Sequence, residues 1–260
     1  MRIFFVIEET NFFQPEFLSG IVDEIKKIDK IVGAAVITKV PDSINMLKYL
    51  IANWNKLLLR EIFMLCVLKI YKQAITLFRQ ITGGSPLYSV IRVLKRHKIP
   101  FFIVENDINS TPYLERIRNA SPDLIINSGS LIFKKELLEI PKKCVINRHS
   151  SLLPSFGGIL PLFHAIRMNQ PLGVTAHMMV RKIDAGVILA QKEITIEDGD
   201  TLFDLYQKSY IVSIEILITA INNVRKNSFD QTKNNYKSSY YSWPTDNDWK
   251  QFRQRGIKWI

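Results

Sequence analysis

Residues 145–192 read VINRHSSLLPSFGGILPLFHAIRMNQPLGVTAHMMVRKIDAGVILAQK. An apolar run, Cys144 to Ile146, delivers Asn147 and His149 to a loop. Side chains alternate along a strand, so these two point to the same side of its end. Ser151-Leu152-Leu153-Pro154 and a flexible Gly157-Gly158 follow, and then a second apolar segment whose turn carries Asp184-Ala185-Gly186. An imidazole moves protons, a carboxylate orients and charge-tunes it, and an amide donates to a developing oxyanion. Asn147, His149 and Asp184 are therefore the candidate catalytic residues, with His177 a supporting residue that acts through a hydrogen bond.

Ahead of this stretch, apolar runs alternate with helical periods. Arg2 to Ile7 reads as a buried central strand, and residues 15–29 place Phe17, Ile21, Ile25 and Ile28 on one helical face. Ile31 to Val40 is a second β-branched run, stopped by Pro41. Further strands are expected over Pro100 to Val104 and Asp123 to Ile126, with helices over residues 87–97, 112–119 and 134–138. This order predicts an α/β fold, a mostly parallel twisted sheet flanked by helices. Ligands in such sheets bind off the carboxyl ends of the strands. Asn127 to Phe133 and Asn147 to Pro154 both occupy that edge.

Residues 43–80 interrupt the pattern. Leu47, Leu50, Trp54, Leu57, Leu58, Ile62, Leu65, Leu68 and Ile70 recur at helical spacing, with Lys56, Arg60, Lys69 and Lys72 between them. The first reading is a helical insertion packing on the sheet or on the second copy of a homodimer. The sharper alternative is a basic amphipathic element lying on a membrane or gripping an anionic partner. Beyond Gly186, Val187 to Ile196 reads as a strand and Asp200 as the N-cap of a long helix bearing Leu202, Leu205, Tyr206, Tyr210, Ile214, Leu217 and Ile218. The expected organisation is a catalytic domain over 1–225, including the 43–80 insertion. Residues 226–260 form a linker and an aromatic, basic extension that folds back on the domain.

Composition narrows the classes. Of 260 residues, 47% are hydrophobic and 23% charged, which excludes disorder and collagen-like repeats. Apolar runs fall short of the roughly 20 residues needed to span a bilayer, so no stable membrane insertion is expected. The N-terminus reads as a strand rather than a signal peptide. Cys66 and Cys144 sit in apolar runs, as buried free thiols without disulfide or metal spacing. A cytoplasmic protein without a metal is the simplest expectation. A net charge of +11 favours a nucleic acid, a phosphorylated substrate or a membrane surface as partner, or reflects nothing more than a lysine-rich surface. Gly83-Gly84-Ser85-Pro86 is a turn that matches neither a P-loop nor GxGxxG. Ser151 lacks a G-x-S-x-G elbow, and Asp198 and Asp200 read as turn and cap. His164 lies on an expected helix facing the acceptor, and His97 on the surface.

NRHSSLLP, G-x-x-P (Gly158 to Pro161), GVTAH (Gly173 to His177) and DAG (Asp184 to Gly186) occur in this order, with 184 − 147 = 37 residues from Asn to Asp. This pattern resembles the folate-dependent formyltransferases: glycinamide ribonucleotide transformylases, methionyl-tRNA formyltransferases and sugar-nucleotide N-formyltransferases. The resemblance implies a Rossmann-like domain and catalytic Asn147, His149 and Asp184. It implies 10-formyltetrahydrofolate as the formyl donor and a primary amine as acceptor. The pterin would sit between the loops Ser128 to Phe133 and Val180 to Gly186. Ser128, Ile132, Phe133, Ser151, Leu152, Leu153, Pro154, Val180 and Gly186 would line it.

Arg148 stands where the family usually has an apolar residue, and Ser155-Phe156-Gly157 lacks a basic residue common after SLLP. Methionyl-tRNA formyltransferases carry a C-terminal β-barrel, for which the roughly 35 residues after Arg225 are too few. The favoured acceptor is a nucleotide-linked amino sugar, with Tyr240, Tyr241 and Trp243 available to stack on a base. The alternatives are initiator tRNA, hydrolysis of formyltetrahydrofolate, and a non-catalytic interaction module. Asn147, His149 and Asp184 occurring together argue against the last.

Overall fold

The computed structural model describes residues 1–84, 87–228 and 236–260, so the expected 83–86 turn and 222–239 linker lie partly outside the described residues. Two compact units are present, Met1–Ile140 with Ile260, and Pro141–Trp259.

The first unit is built on a parallel sheet. It comprises β1 (Arg2–Glu8), α1 (Gln14–Ile25), β2 (Lys30–Ile37), α2 (Met46–Ala52), α3 (Leu59–Thr82), α4 (Val90–Arg96), β3 (Phe101–Val104), α5 (Thr111–Asn119), β4 (Leu124–Ser128) and α6 (Lys135–Leu138). The strand order is β3-β2-β1-β4, with every pairing parallel. The continuous apolar run of β1 is explained by its central place: Ile3, Phe5, Val6 and Ile7 are fully buried between two neighbours and two faces of cover.

Three expectations are corrected in this unit. The first helix stops at Ile25, and Ile28 is exposed in the turns that follow, because Lys26 to Asp29 close back on Val22 and Ile25 carbonyls instead of continuing the apolar face. The 43–80 insertion is helical, but only part of its apolar stripe is covered: Leu50, Leu57, Ile62, Leu65 and Leu68 are half-buried, whereas Leu47, Trp54, Leu58 and Ile70 are exposed. Cys66, expected to be buried, lies on that same exposed surface.

The second unit comprises β5 (Cys144–His149), β6 (Gly157–Gly158), α7 (Pro161–Arg167), β7 (Leu172–Met178), β8 (Ile188–Ile194), α8 (Leu202–Lys226), β9 (Tyr240–Tyr241) and α9 (Asp246–Gln254). Its strands β5-β7-β8 run antiparallel, and β6 pairs in parallel with β9. Asn147 and His149 therefore lie inside a hydrogen-bonded strand rather than in the loop after it. Gly157-Gly158 is likewise a paired strand and not a flexible link. Cys144 is half-buried, and burial pushes its thiol up to about 11.

The helix cap is Thr201, not Asp200. Thr201 accepts from the Asp204 amide, while Asp204 accepts from the Thr201 amide. Asp200 instead accepts from the Glu197 amide and the Lys208 ammonium. The aromatic end of the chain folds back as expected. Phe252 stacks on Phe163 at 4.5 Å between centroids, and Trp249 meets Phe163 edge-on at 5.0 Å and Trp259 at 5.2 Å. This cluster ties residues 246–259 to the unit.

Candidate active site

The antiparallel register of β5 and β7 sets Asn147 directly opposite His177 and His149 opposite Thr175. Residues two apart on a strand share a face, and opposed residues share it too, so three polar side chains are driven together by pairing alone. The Asn147 amide Nδ2 lies 3.2 Å from His177 Nε2. His177 Nδ1 lies 3.0 Å from its neighbour's carbonyl, Met178 O. A carbonyl accepts only, so Nδ1 carries the proton and Nε2 offers its lone pair to the Asn147 amide. The supporting role expected for His177 is the one it has: it fixes which way the Asn147 amide points.

His149 is fixed by the same logic. Its Nε2 donates to Phe156 O at 3.0 Å, which leaves the lone pair of the neutral ring on Nδ1. That atom faces Asp184 Oδ1 at 3.7 Å, and the same carboxylate oxygen lies 3.7 Å from His177 Nε2. His149 Nδ1 is thus a basic nitrogen directed at a carboxylate that stabilises it when it is protonated. His177 has no such capacity near neutrality, because burial, helped by the charge of His149, lowers its pKa to about 4.

Asp184 reaches this position through an unusual backbone. Its φ is +52°, in the left-handed region, and its Oδ2 accepts from the Gly158 amide at 2.9 Å. Gly158 has φ +95°, and a Cβ there would lie 2.1 Å from Tyr241 O. Only glycine allows β6 to pair with β9 and still present its amide to the carboxylate. At Gly186 a Cβ would lie 1.7 Å from Met178 O, so the DAG turn closes flush against the end of β7.

The other site candidates divide. Val180 and Ile132 are exposed, each in its own loop. Ser151, Leu152, Leu153 and Phe133 are buried. The SLLP segment is a fastening: Thr175 Oγ1 donates to Ser151 O at 2.6 Å and accepts from the Leu153 amide at 3.1 Å, and Gln191 Nε2 donates to Leu153 O at 2.9 Å. Pro154 is half-buried and its carbonyl accepts from the Ser239 amide at 3.1 Å.

In the first unit, Ser128 ends β4, where its carbonyl accepts from Gln14 Nε2. Ser128 Oγ and Gln14 Oε1 are both buried without a hydrogen-bond partner among the described residues. Buried polar atoms of this kind are uncommon. They fit a polar ligand at the carboxyl end of the parallel strands.

His164 does not face an acceptor. It is buried, donates from Nε2 to Ser242 O at 3.1 Å, accepts from Arg167 Nε at 3.0 Å and stacks on Tyr241 at 4.6 Å. Arg148 points to the opposite face of β5 from Asn147 and His149. There its Nε donates to Ser213 at 2.7 Å, its Nη2 donates to Ser209 at 3.2 Å, and the guanidinium lies 3.7 Å over the Tyr210 ring. It anchors the strand to α8. Sequence reasoning missed the Phe156 carbonyl and the Gly158 amide, because main-chain groups carry no residue signature.

Two of the buried imidazoles, His164 and His177, set a pH dependence. Burial holds both His164 and His177 down to about 4 in the folded chain, against an ordinary 6.5. Below 6.5 the unfolded chain takes up protons that the folded chain does not, so stability falls as pH drops from about 6.5 to about 4 and is level above that interval. The loss is on the order of 3 kcal/mol for His164, and His177 adds to it in the same direction. Urea midpoints measured across the interval should fall with pH; midpoints that do not move contradict this assignment.

Comparison with known proteins identifies the family. A family model described as "Formyl transferase" matches residues 89–221, which is 133 of 260 positions. The bifunctional polymyxin resistance protein ArnA of Wigglesworthia glossinidia brevipalpis is 35% identical over 170 residues, 63% of this chain and 26% of that protein. A methionyl-tRNA formyltransferase of Sulfurihydrogenibium sp. (strain YO3AOP1) is 29% identical over 153 residues, 58% of this chain and 49% of that protein. The chain thus matches between a quarter and a half of the length of these curated relatives. Among solved structures, a sugar N-formyltransferase from Shewanella sp FDAARGOS_354 shares the fold with a TM-score of 0.57 at 17% identity, covering 98% of this chain and 87% of that one. With more than half of its length matched by the family model, and the Asn147, His149 and Asp184 constellation in place, the chain belongs to the formyl transferase family.

Proposed function

We propose that the protein transfers a formyl group from 10-formyltetrahydrofolate to a primary amine, and that the amine belongs to a nucleotide-linked amino sugar. The observation that carries the transfer is the convergence of Asn147, His149 and Asp184 on one face of β5–β7, with every tautomer fixed by a main-chain or side-chain partner. The donor supplies a formyl carbon: the amine nitrogen bonds to it, the bond to the folate nitrogen breaks, and one proton passes from the amine to that nitrogen. His149 Nδ1 is the atom suited to hold this proton, with Asp184 Oδ1 stabilising the imidazolium. The Asn147 amide, oriented by His177, donates to the oxygen on which charge develops. The exposed Val180, in the loop that carries Asp184, supports a donor-binding role for that loop.

The sugar nucleotide rests on two further observations. The likeness to a sugar N-formyltransferase runs through nearly the whole of both chains. Tyr240 also stands beside the carboxylate: a Cβ at Gly157 would be 3.3 Å from the Tyr240 ring and 3.5 Å from Asp184 Cβ, and Tyr240 is exposed. An open aromatic face next to the reacting groups suits a nucleobase. Methionyl-tRNA formyltransferase relatives favour initiator tRNA as the second reading.

Incubation with 10-formyltetrahydrofolate and pooled amino-sugar nucleotides, initiator methionyl-tRNA, or no acceptor separates these readings. Tetrahydrofolate is expected only with the sugars. Release with tRNA alone would transfer the acceptor assignment, release without any amine would make the protein a hydrolase, and no release in any tube would contradict the proposed activity.

A further inference from the structure

The inward side of α3 is mixed, with Ile62, Leu65, Leu68 and Ile75 half-buried on it, while its solvent side is apolar. On α3 the side turned to the first unit carries Glu61 and Thr76, both buried. It also carries Lys72, whose ammonium donates to Phe12 O at 3.2 Å and lies 5.3 Å over the Phe12 ring and 5.0 Å over that of Tyr88. The solvent side presents Phe63, Val67, Ile70, Leu77 and Ile81, exposed by 68, 46, 67, 57 and 87%, with Ala74 in the gap between Ile70 and Leu77. Met64, Tyr71 and Phe78 form an exposed row beside them, and α2 and the turn after it add Leu47, Ile51, Trp54 and Leu58. A surface helix ordinarily turns a polar side to solvent. The face runs from Leu59 to Ile81, roughly 33 Å at the rise of an α-helix.

Charge identifies what covers it. Between Met46 and Thr82 there are six lysines and arginines and one acid, Glu61, and that acid is turned inward to accept from the Leu58 amide. The exposed rim therefore carries Arg60 and Lys69, while Lys48 of α2 pairs with Asp42 just ahead of it. We propose that α2 and α3 dock in the plane of an anionic lipid bilayer, with the apolar rows in the headgroup boundary and the cations on the lipid phosphates. A second copy is the poorer occupant. It would bring the same cations against themselves, and a helix pair buries two adjacent rows where this face has three. No helix among the described residues is long and apolar enough to cross a membrane, so the contact is peripheral. The inference is independent of the acceptor and of the transfer chemistry.

The test uses the full chain with vesicles of phosphatidylcholine, alone or mixed with phosphatidylglycerol. The protein is expected to sediment with the mixed vesicles at least about tenfold more strongly than with phosphatidylcholine alone, and less as salt screens the charges. The double variant Ile70→Glu/Leu77→Glu should lose at least about tenfold in binding while keeping its thermal midpoint and its lipid-free activity, since both positions are exposed. Equal sedimentation of variant and parent, or no binding to either vesicle, would overturn the proposal. A solution mass of two chains that the variant reduces to one would assign the face to a second copy instead.

Discussion

Alanine in place of His149 is expected to lower formyl transfer by about 10²- to 10⁴-fold, the usual contribution of a positioned acid–base group. The loss should fall in kcat, because Nδ1 acts on a proton that moves during reaction rather than on ground-state binding. Folding should survive: the side chain's loss leaves one carbonyl, Phe156 O, without its donor, a cost of about 1–3 kcal/mol. Asp184→Asn should act through the same atom, since it removes the charge that stabilises the imidazolium at 3.7 Å. If the two residues form one unit, the double variant is hardly worse than the His149 single variant. Rates that multiply would mean that each residue serves a separate step. Transfer that survives the His149 substitution at full rate contradicts the mechanism outright.

Gly186→Ala is expected to damage both stability and activity. A methyl at this position would lie 1.7 Å from the Met178 carbonyl oxygen, a main-chain atom fixed by the hydrogen bond that His177 donates to it. Relief requires the DAG turn to move off β7, and Asp184, two residues earlier, moves with it. A loss of about 3 kcal/mol or more in urea unfolding is expected, in the range that only backbone clashes and core disruptions reach. Because the Asp184 carboxylate is displaced, turnover should fall even at temperatures where the variant is folded. Unchanged stability would show that the turn is looser than its geometry.

Much of this site was legible in the sequence because its logic is local. The alternation that places Asn147 and His149 on one side of a strand needs only the period of two, and the GVTAH segment announces a partner strand. The antiparallel register that sets His177 against Asn147 needs tertiary pairing, yet the apolar surroundings of His177 already pointed to a supporting hydrogen bond. The main-chain fastenings were not legible. Gly158 reads as a flexible residue until β9, about 80 positions later, pairs with it and turns its amide toward Asp184. A loop motif does not show that Thr175 and Gln191 will hold the SLLP main chain in place. In the first unit the apolar run of β1 correctly marked a central strand. The periodicity of 43–80 correctly marked helices but said nothing of which way they face. An apolar stripe looks the same whether its cover is the protein's own core or something outside it.

The central claim is that the loops around Asn147, His149 and Asp184 hold a formylated folate, whatever amine accepts the group. Calorimetric titration with 5-formyltetrahydrofolate tests this without any acceptor. Saturable binding is predicted, retained in His149→Ala because that residue serves transfer rather than affinity. A flat titration for the parent protein, folded and monodisperse, would contradict the account.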